Sequence, residues 1–326
     1  MGDRLPALVV GCGRIGSSFD EGTMAAPPAS HAGALARHGG VGGGGGGGAG
    51  AAGAGGAARH WGVDLSFASV DEALQRARPA LVSVCTPDET HAAVLEQVLV
   101  APGVRAVLAE KPLARTVAEA ERIVALARER GVLLLVNYSR RFHPAYRQLR
   151  KELAAGAIGE VTLVSGFYSK GILHNGSHWF DLARWLVGEA QVVYAAHAHD
   201  ECPGDPTLHV DLAFASGARG RLNGMRQSAY AIFELDLLGT RGRVRLLGGP
   251  RFEWSIARDS ERYAGFRHLQ PLRVDAPAPE SAIVAAVDHA IRCLNHEEHP
   301  WCGGADGVAA MRLAGEALRL SGARPA

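Results

Sequence analysis

The sequence lacks the features of membrane, disulfide-rich and nucleic-acid-binding proteins. Its 34 basic and 33 acidic residues leave a formal net charge of +1, which offers little attraction for DNA, RNA or an anionic membrane. No apolar run approaches the ~18–20 residues of a membrane-spanning helix. The five cysteines are odd in number and form no CxxC pair, which argues against a disulfide framework and fits a reducing cytosol. We therefore predict a cytoplasmic protein with no membrane or nucleic-acid partner.

Lysine is also scarce. Lys111, Lys151 and Lys170 are the three lysines, and the remaining basic residues are arginines. At each lysine of such a chain it is useful to ask whether arginine would serve as well. The chain has 326 residues, of which 47% are apolar, so it is long enough for two domains that each bury a core.

The pattern of strands and helices changes near residue 155. Before it, short apolar runs alternate with helical stretches, which predicts a parallel, doubly wound α/β sheet. After it, half-buried strands joined by short turns predict a large open-faced antiparallel sheet, closed by two helices, as an α+β domain. We therefore predict a first domain at residues 1–138 and a second at 139–326, with the last helix (305–321) packing back on the first.

A glycine pattern follows the first predicted strand. In Gly11-x-Gly13-x-x-Gly16, the first glycine permits a tight turn and the second lets a pyrophosphate approach the backbone. The third lets strand and helix pack closely, and the helix N-terminus faces the phosphate charge. A glycine turn without a ligand is the alternative. The pattern predicts a dinucleotide site that consists of Gly11, Gly13, Arg14, Ile15 and Gly16.

The second strand of this sheet falls in an unusual stretch. Residues 39–56 contain 13 of the 42 glycines, a composition typical of a flexible linker or of disorder. An acidic residue near Gly48 would bind the ribose hydroxyls of a dinucleotide, and none is present. Either the strand is degenerate and the adenosine site weakened, or these glycines do not represent the true side chains. The choice between NAD and NADP therefore stays open.

Two further motifs lie at the predicted carboxyl ends of strands, where doubly wound sheets bind ligands. Thr86 and Pro87 end one strand, and His91 follows one helical turn later, which predicts contact with the cofactor. An ordinary strand–turn–helix is the alternative. Glu110 and Lys111 end the next strand, where a lysine can give a proton to a carbonyl that receives hydride. A surface lysine paired with Glu110 is the alternative.

Two histidines, His174 and His178, flank the start of a predicted helix that begins at Ser177. Ser177 would cap this helix, and Trp179, Leu182, Trp185 and Leu186 would form its core face. His178 would lie in the first turn, where the helix dipole disfavours the imidazolium and favours acid or base chemistry near neutral pH. A core histidine is one alternative. A metal pair with His174 is another, but it lacks a third ligand, so we predict no metal.

This ordered set of motifs resembles the Gfo/Idh/MocA family of NAD(P)-dependent oxidoreductases. The resemblance implies a Rossmann domain followed by an open-faced sheet that joins subunits into a homodimer or homotetramer. It also implies hydride exchange between the nicotinamide of NAD or NADP and a hydroxyl or ketone of a sugar, sugar nucleotide or cyclitol. The resemblance rests on residues 11–16, 85–91, 110–112, 140–144, 176–188 and 302–318.

The resemblance also implies roles for single residues. Lys111 would transfer the proton and polarise the substrate oxygen, and the histidine of the family's Asp-x-x-x-His pattern falls on His178. His174 replaces the aspartate of that pattern, so the usual carboxylate is missing. We expect His174 to take part in catalysis and Glu110 to contact the cofactor. The predicted substrate-binding residues are Tyr138, Arg141, Lys170 and Asn175.

Two other functions remain open at this point. Some relatives oxidise and re-reduce a sugar transiently during glycoside cleavage, without net consumption of NAD. A dinucleotide-dependent sensor without catalysis could also use the same scaffold, and the missing acid and His174 fit that interpretation.

Overall fold

A computed structural model describes residues 4–20, 27–47, 51–62 and 65–323. The chain divides into two compact units. The first unit comprises Met1–Pro144 and Pro279–Val308, and the second comprises Ala145–Ala278 and Ala309–Ala326. The predicted domain boundary after residue 138 stays a prediction. Among the described residues, no helix is both long and apolar enough to cross a membrane.

The first unit contains a six-stranded parallel sheet with the order β3-β2-β1-β4-β5-β6. This order confirms the predicted Rossmann fold, whose ligands bind where the strand order reverses, between β1 and β4. The strands are β1 (Leu5–Val10), β2 (Val41–Gly47), β3 (Ser66–Phe67), β4 (Leu81–Val84), β5 (Ala106–Ala109) and β6 (Leu133–Val136). The helices are α1 (His31–Arg37), α2 (Ala51–Trp61), α3 (Val70–Ala77), α4 (Asp88–Leu99), α5 (Val117–Glu129) and α8 (Ala282–Leu294).

The register of this sheet places the sequence motifs at one edge. Val10 pairs with Val84, Val84 pairs with Ala109, and Ala109 pairs with Val136. The residues that follow these strand ends therefore lie side by side. They are Gly11, Cys85, Glu110 and Asn137.

The glycine-rich second strand is present as β2. It pairs in parallel with β1 and carries almost no side chains, so its backbone hydrogen bonds are what tie it to the sheet. Neighbouring strands hold the core instead, with Leu8, Leu81 and Leu108 completely buried. Other elements cover both faces of a parallel sheet, which explains why these strands carry apolar side chains on both sides.

The second unit contains an eight-stranded sheet with the order β14-β13-β12-β11-β7-β10-β9-β8. The sheet is antiparallel as predicted except between β7 and β10, which run parallel. The strands are β7 (Val161–Tyr168), β8 (Ala190–His199), β9 (Thr207–Phe214), β10 (Arg219–Gly224), β11 (Phe233–Gly239), β12 (Gly242–Leu247), β13 (Phe252–Asp259) and β14 (Arg267–Asp275). The remaining helices are α6 (Pro144–Ala154), α7 (Ser177–Val187) and α9 (Gly304–Ser321).

Helix α7 supplies the centre of the second core. Trp179, Phe180 and Leu182 are at most 1% exposed and pack with inward residues of the sheet such as Leu208 and Leu235. The predicted core face of this helix is therefore present. The opposite face of the sheet carries exposed apolar side chains, as an open-faced sheet does.

Candidate active site

The glycine turn after β1 has the geometry that a dinucleotide needs. Gly11 has a φ of +95°, and a Cβ there would lie 2.6 Å from the carbonyl carbon and oxygen of Cys85. A Cβ at Gly16 would lie 1.8 Å from the Gly11 oxygen, so both glycines are required for close packing. Gly13 is different, because it is exposed and nothing lies within 4 Å of its Cβ position. A pyrophosphate can therefore approach the backbone at Gly13, and the turn fits this group.

The helix expected after the glycine pattern is, within residues 11–20, only a short turn. Ser17 N donates to Gly13 O at 2.9 Å and Phe19 N donates to Arg14 O at 3.0 Å, before a 3-10 turn ends at Asp20. Arg14 is exposed, with its guanidinium 4.7 Å from the centre of the Phe19 ring, and Ile15 is half-buried. The continuous helix α1 begins at His31, with Ser30 as its N-cap.

A buried carboxylate joins these two pieces. Asp20 accepts hydrogen bonds from Ala29 N at 2.8 Å and Ser30 N at 2.9 Å. Ser30 Oγ also donates to Asp20 Oδ2 at 2.5 Å. Asp20 therefore fixes the start of α1 beside the glycine turn. The position near Gly48, where a ribose-binding acid was expected, lies outside the described residues.

Thr86, Pro87 and His91 lie together after β4. Thr86 and His91 are buried, and the exposed Pro87 occupies the N-cap position of α4. His91 Nε2 lies 3.0 Å from the carbonyl oxygen of Glu110, and its Nδ1 lies 3.2 Å from Thr86 Oγ1. Burial lowers the pKa of His91, and the opposing charge of Glu110 does not overcome it. A neutral ring satisfies both contacts, with Nε2–H donating to the carbonyl and the Thr86 hydroxyl donating to Nδ1.

Glu110 is held by two side chains that the sequence analysis did not identify. His31 Nε2 lies 3.0 Å from Glu110 Oε1, and Asn137 Nδ2 donates to the same oxygen at 2.7 Å. Burial raises the pKa of the Glu110 carboxyl, but the hydrogen bonds and charges of His31, Asn137 and Lys111 outweigh burial, so this pKa lies below its ordinary value. Two sequence features could have pointed to these residues: Asn137 follows a predicted strand, and His31 lies in the first turn of a helix.

Polar atoms remain available beside Glu110. Within the described ranges, His31 Nδ1 and Asn137 Oδ1 are buried without a hydrogen-bond partner. Buried polar atoms without partners are costly, and a bound polar ligand or water would satisfy them. This edge of the sheet therefore fits a polar ligand as well as a pyrophosphate.

Lys111 follows Glu110 at the carboxyl end of β5. It is half-buried, its backbone N lies 3.4 Å from Glu110 Oε2, and its peptide bond to Pro112 is cis. This position brings Lys111 to the same sheet edge as Gly11 and Thr86. An ammonium group there can exchange a proton with a substrate oxygen.

Tyr138 and Arg141 are both buried. Tyr138 is 1% exposed and Arg141 is 4% exposed. Arg141 Nη1 lies 3.0 Å from Asp306 Oδ1 and donates to the Trp301 carbonyl at 3.2 Å. These bonds favour a structural role for Arg141, and substrate contact by either residue stays a prediction.

In the second unit, the histidine pair lies on one helical segment. A π-helical turn at Gly171–Gly176 continues directly into α7, so Ser177 is not the N-cap and His178 is not in a free first turn. Ser177 Oγ instead donates to the His174 carbonyl at 2.9 Å. His174 is exposed and His178 is half-buried. The dipole argument for His178 was therefore wrong in its geometry, because the helix begins earlier.

Lys170 and Asn175 flank this histidine pair. Lys170 is exposed and has a φ of +74°. Asn175 is half-buried, and its Nδ2 donates to the Ser169 carbonyl at 2.8 Å. The structure thus brings Lys170, His174, Asn175 and His178 onto one short segment. Within the described residues, no group of three or more His, Cys, Asp or Glu side chains is arranged to hold a metal ion.

The fold and the glycine turn define a Rossmann-type dinucleotide-binding protein. Residues 5–138 match the sequence model of an oxidoreductase family with an NAD-binding Rossmann fold. Residues 169–245 match the model of the GFO/IDH/MocA C-terminal domain. The chain therefore belongs to the Gfo/Idh/MocA family, as the resemblance of its motifs predicted.

Individual relatives show the same kinship. The chain is 29% identical over 185 residues to an inositol 2-dehydrogenase of Rhizobium meliloti (strain 1021), which covers 50% of this chain and 56% of that protein. It is 32% identical over 241 residues to the dTDP-3,4-didehydro-2,6-dideoxy-alpha-D-glucose 3-reductase of Streptomyces violaceoruber, covering 68% of this chain and 66% of that protein. The alignments thus span less than two thirds of each relative.

A solved structure shares the whole fold. The UDP-N-acetylglucosamine 3-dehydrogenase GnnA from Acidithiobacillus ferrooxidans superposes with a TM-score of 0.78 and 21% identity over 98% of each chain. At this identity the likeness establishes the fold and nothing finer.

Proposed function

We propose that this protein is an NAD(P)-dependent dehydrogenase or reductase that acts on a sugar, sugar nucleotide or cyclitol. The observation that carries the proposal is that the accessible glycine backbone at Gly13 and Lys111 both follow strand ends at one edge of the first sheet. The relatives named as an inositol dehydrogenase and a sugar-nucleotide reductase support the substrate class.

The first unit would hold the dinucleotide. The glycine turn with Arg14 and Ile15 would bind the pyrophosphate, and Thr86, Pro87 and His91 would lie on the nicotinamide side. Glu110 would contact the cofactor, with its carboxylate held beside Lys111 by His31 and Asn137. When bound, the nicotinamide supplies or accepts the hydride. Because the acid near Gly48 is absent from the sequence, the proposal covers both NAD and NADP.

Lys111 would move the proton. In the direction of reduction, Lys111 Nζ gives a proton to the substrate oxygen as the carbonyl carbon gains hydride; in oxidation, Nζ takes that proton back. His178 would be the second proton-exchanging group, and His174 would contact the substrate hydroxyls during catalysis. Lys170 and Asn175 would bind the substrate, as would Tyr138 and Arg141.

Turnover with a panel of substrates tests this proposal. Purified protein is incubated with NAD or NADP and one cyclitol, sugar or sugar nucleotide at a time, and absorbance of the reduced nicotinamide is followed. Net reduction of the cofactor with a substrate supports the proposal. Glycoside cleavage without net reduction would contradict it in favour of transient oxidation, and cofactor binding without any reaction would contradict it in favour of a sensor.

We also propose that the protein is cytoplasmic and forms a homodimer or homotetramer through the eight-stranded sheet. Leu163 and Phe167 on β7 are each 39% exposed on the face away from the helices. Val193 and Tyr194 on β8 are more than half exposed. Exposed apolar surface of this kind is typical of an interface. The odd number of cysteines and the lack of a CxxC pair fit a reducing compartment.

A further inference from the structure

The helical segment that carries His174 begins with N–H groups that the helix itself cannot satisfy. The first four N–H groups of a helix have no partner within it. Here, the four N–H groups of residues 171–174 each donate a hydrogen bond to the tripeptide Asp205-Pro206-Thr207. The pairs are Gly171 N to Thr207 Oγ1 at 3.2 Å, Ile172 N to Pro206 O at 3.0 Å, Leu173 N to Asp205 Oδ1 at 2.7 Å and His174 N to Asp205 Oδ2 at 2.9 Å.

The entry into this helix is shaped around the Asp205 carboxylate. Lys170 and Gly171 have φ values of +74° and +75°, so the chain turns sharply just before the helical segment. A Cβ at Gly171 would lie 2.1 Å from Asp205 Oδ2 and 2.2 Å from its Cγ. Only glycine permits both this backbone conformation and this contact. The carboxylate and the turn therefore fit one position of the segment.

The charge of Asp205 suits its place. A carboxylate at a helix N-terminus interacts favourably with the helix dipole and makes strong hydrogen bonds to backbone N–H groups. Since all four N–H groups are occupied, this helix start is closed to anionic groups of a substrate. Its remaining role is to hold the side chains that follow.

The capped segment transmits its position to the predicted catalytic side chains. Asn175 Nδ2 donates to the Ser169 carbonyl at 2.8 Å, and Ser177 Oγ donates to the His174 carbonyl at 2.9 Å. These bonds tie the middle of the segment to its ends. His178 follows on the same continuous helix.

We infer that Asp205 is a positioning residue, which fixes the helical start and thereby the places of His174, Asn175 and His178. Its carboxylate accepts hydrogen bonds from the backbone N–H groups of Leu173 and His174. The catalytic meaning of this inference rests on the proposed function.

The test compares Asp205→Ala and Asp205→Asn with Asp200→Asn, which removes the same charge from an exposed residue of the same loop. Hydrogen exchange of the backbone amides of residues 171–174 is measured together with cofactor affinity, KM and kcat, with kcat given per cofactor-binding site. We expect faster exchange at 171–174 in Asp205→Ala and a loss of kcat/KM of about 10- to 100-fold, because misplacement by about 1 Å has such effects. Cofactor affinity is expected to stay unchanged, and Asp205→Asn to lie between Asp205→Ala and wild type.

The outcomes separate this inference from its alternatives. Wild-type exchange and wild-type kcat/KM in both Asp205 variants would overturn it. Faster exchange with unchanged kcat/KM would also overturn it, since Asp205 would then stabilise the fold alone. If Asp205→Ala does not fold, Asp205→Asn decides by the same measurements. Absence of turnover in the wild-type protein would refute the proposed function. The exchange measurement would still show whether Asp205 holds the start of the helical segment.

Discussion

Lys111 is the single side chain on which the proposed chemistry depends most. Its half-buried position beside Glu110 places an ammonium group at the sheet edge where the glycine turn and Thr86 also lie. We predict that Lys111→Ala lowers kcat by about 10²- to 10⁴-fold, the usual contribution of a general acid or base. Cofactor affinity is expected to be unchanged. Steady-state kinetics and a cofactor titration measure the two quantities.

Lys151 offers a matched control for this substitution. It is an exposed lysine on α6, so Lys151→Ala removes the same charge and length from a surface helix. We expect Lys151→Ala to behave like the wild-type protein. Unchanged turnover in Lys111→Ala would remove Lys111 from the mechanism.

His91 makes the stability of the first unit depend on pH. Burial lowers the pKa of His91 in the folded protein below the ordinary value of about 6.5. The unfolded chain therefore takes up a proton more readily. The contribution of neutral His91 is fully present above about pH 6.5 and is lost as the pH falls through the lower folded pKa.

We therefore predict that Tm falls as the pH is lowered from about 7.5 to about 5.5. His91→Gln should reduce this fall, because glutamine does not bind a proton in this pH range. Thermal unfolding at a series of pH values measures the effect. The exposed His268 on β14 is the control, since His268→Gln should leave the fall unchanged. An equal fall in wild type and His91→Gln would show that His91 does not cause it.

At the scale of elements, two glycines of the turn after β1 have different roles, one in packing and one in cofactor binding. Gly16 packs against the Gly11 carbonyl, whereas the Cβ position of Gly13 is open. We predict that Gly16→Ala lowers Tm, because its Cβ would meet the Gly11 oxygen. Gly13→Ala is expected to keep the wild-type Tm and to weaken NAD or NADP binding, because its methyl group fills the space that a pyrophosphate needs.

Thermal unfolding and isothermal titration with the cofactor check both variants of this turn. Wild-type cofactor affinity in Gly13→Ala would contradict the assignment of the pyrophosphate site. A wild-type Tm in Gly16→Ala would contradict the packing argument without affecting that assignment.

The elements also show which parts of the structure a sequence can predict. Buried strands such as β5 and β6 have continuous apolar runs and follow from the pattern alone. β14 was not predicted, since it is exposed almost throughout and Pro271 interrupts its alternation of apolar and polar residues. Helix α6 was also missed, although Pro144 stands at its start, where proline is favoured.

Site residues at strand ends were predicted except for Asn137, which follows β6, whereas contacts that only the fold brings about were missed. Lys111 and Thr86 end strands, so their shared edge follows from a parallel sheet. His31 reaches Glu110 across 79 residues, and Asp205 reaches His174 across 31. No local pattern encodes such contacts. The π-helical turn before α7 was missed as well, because Asp205-Pro206-Thr207 stabilises it from another loop.

At the scale of the whole molecule, we propose that the open face of the eight-stranded sheet forms the interface between subunits. We predict that Phe167→Glu shifts the protein toward the monomer, because it places a charge in the proposed apolar interface. Analytical ultracentrifugation measures the change. Val100→Glu is the control, since Val100 is 47% exposed but lies on the first unit at the end of α4. An unchanged sedimentation coefficient in Phe167→Glu would place the interface elsewhere or exclude it.

We propose above all that this chain binds a nicotinamide dinucleotide and uses it for hydride transfer. Thermal unfolding of the purified protein in the presence of NAD, NADH, NADP or NADPH tests this claim most directly. A ligand that binds the native state at 100 times its Kd adds about 2.7 kcal/mol to the free energy of unfolding, so Tm should rise clearly with one cofactor pair. An unchanged Tm with all four nucleotides would mean that the adenosine site is broken, and would contradict the account.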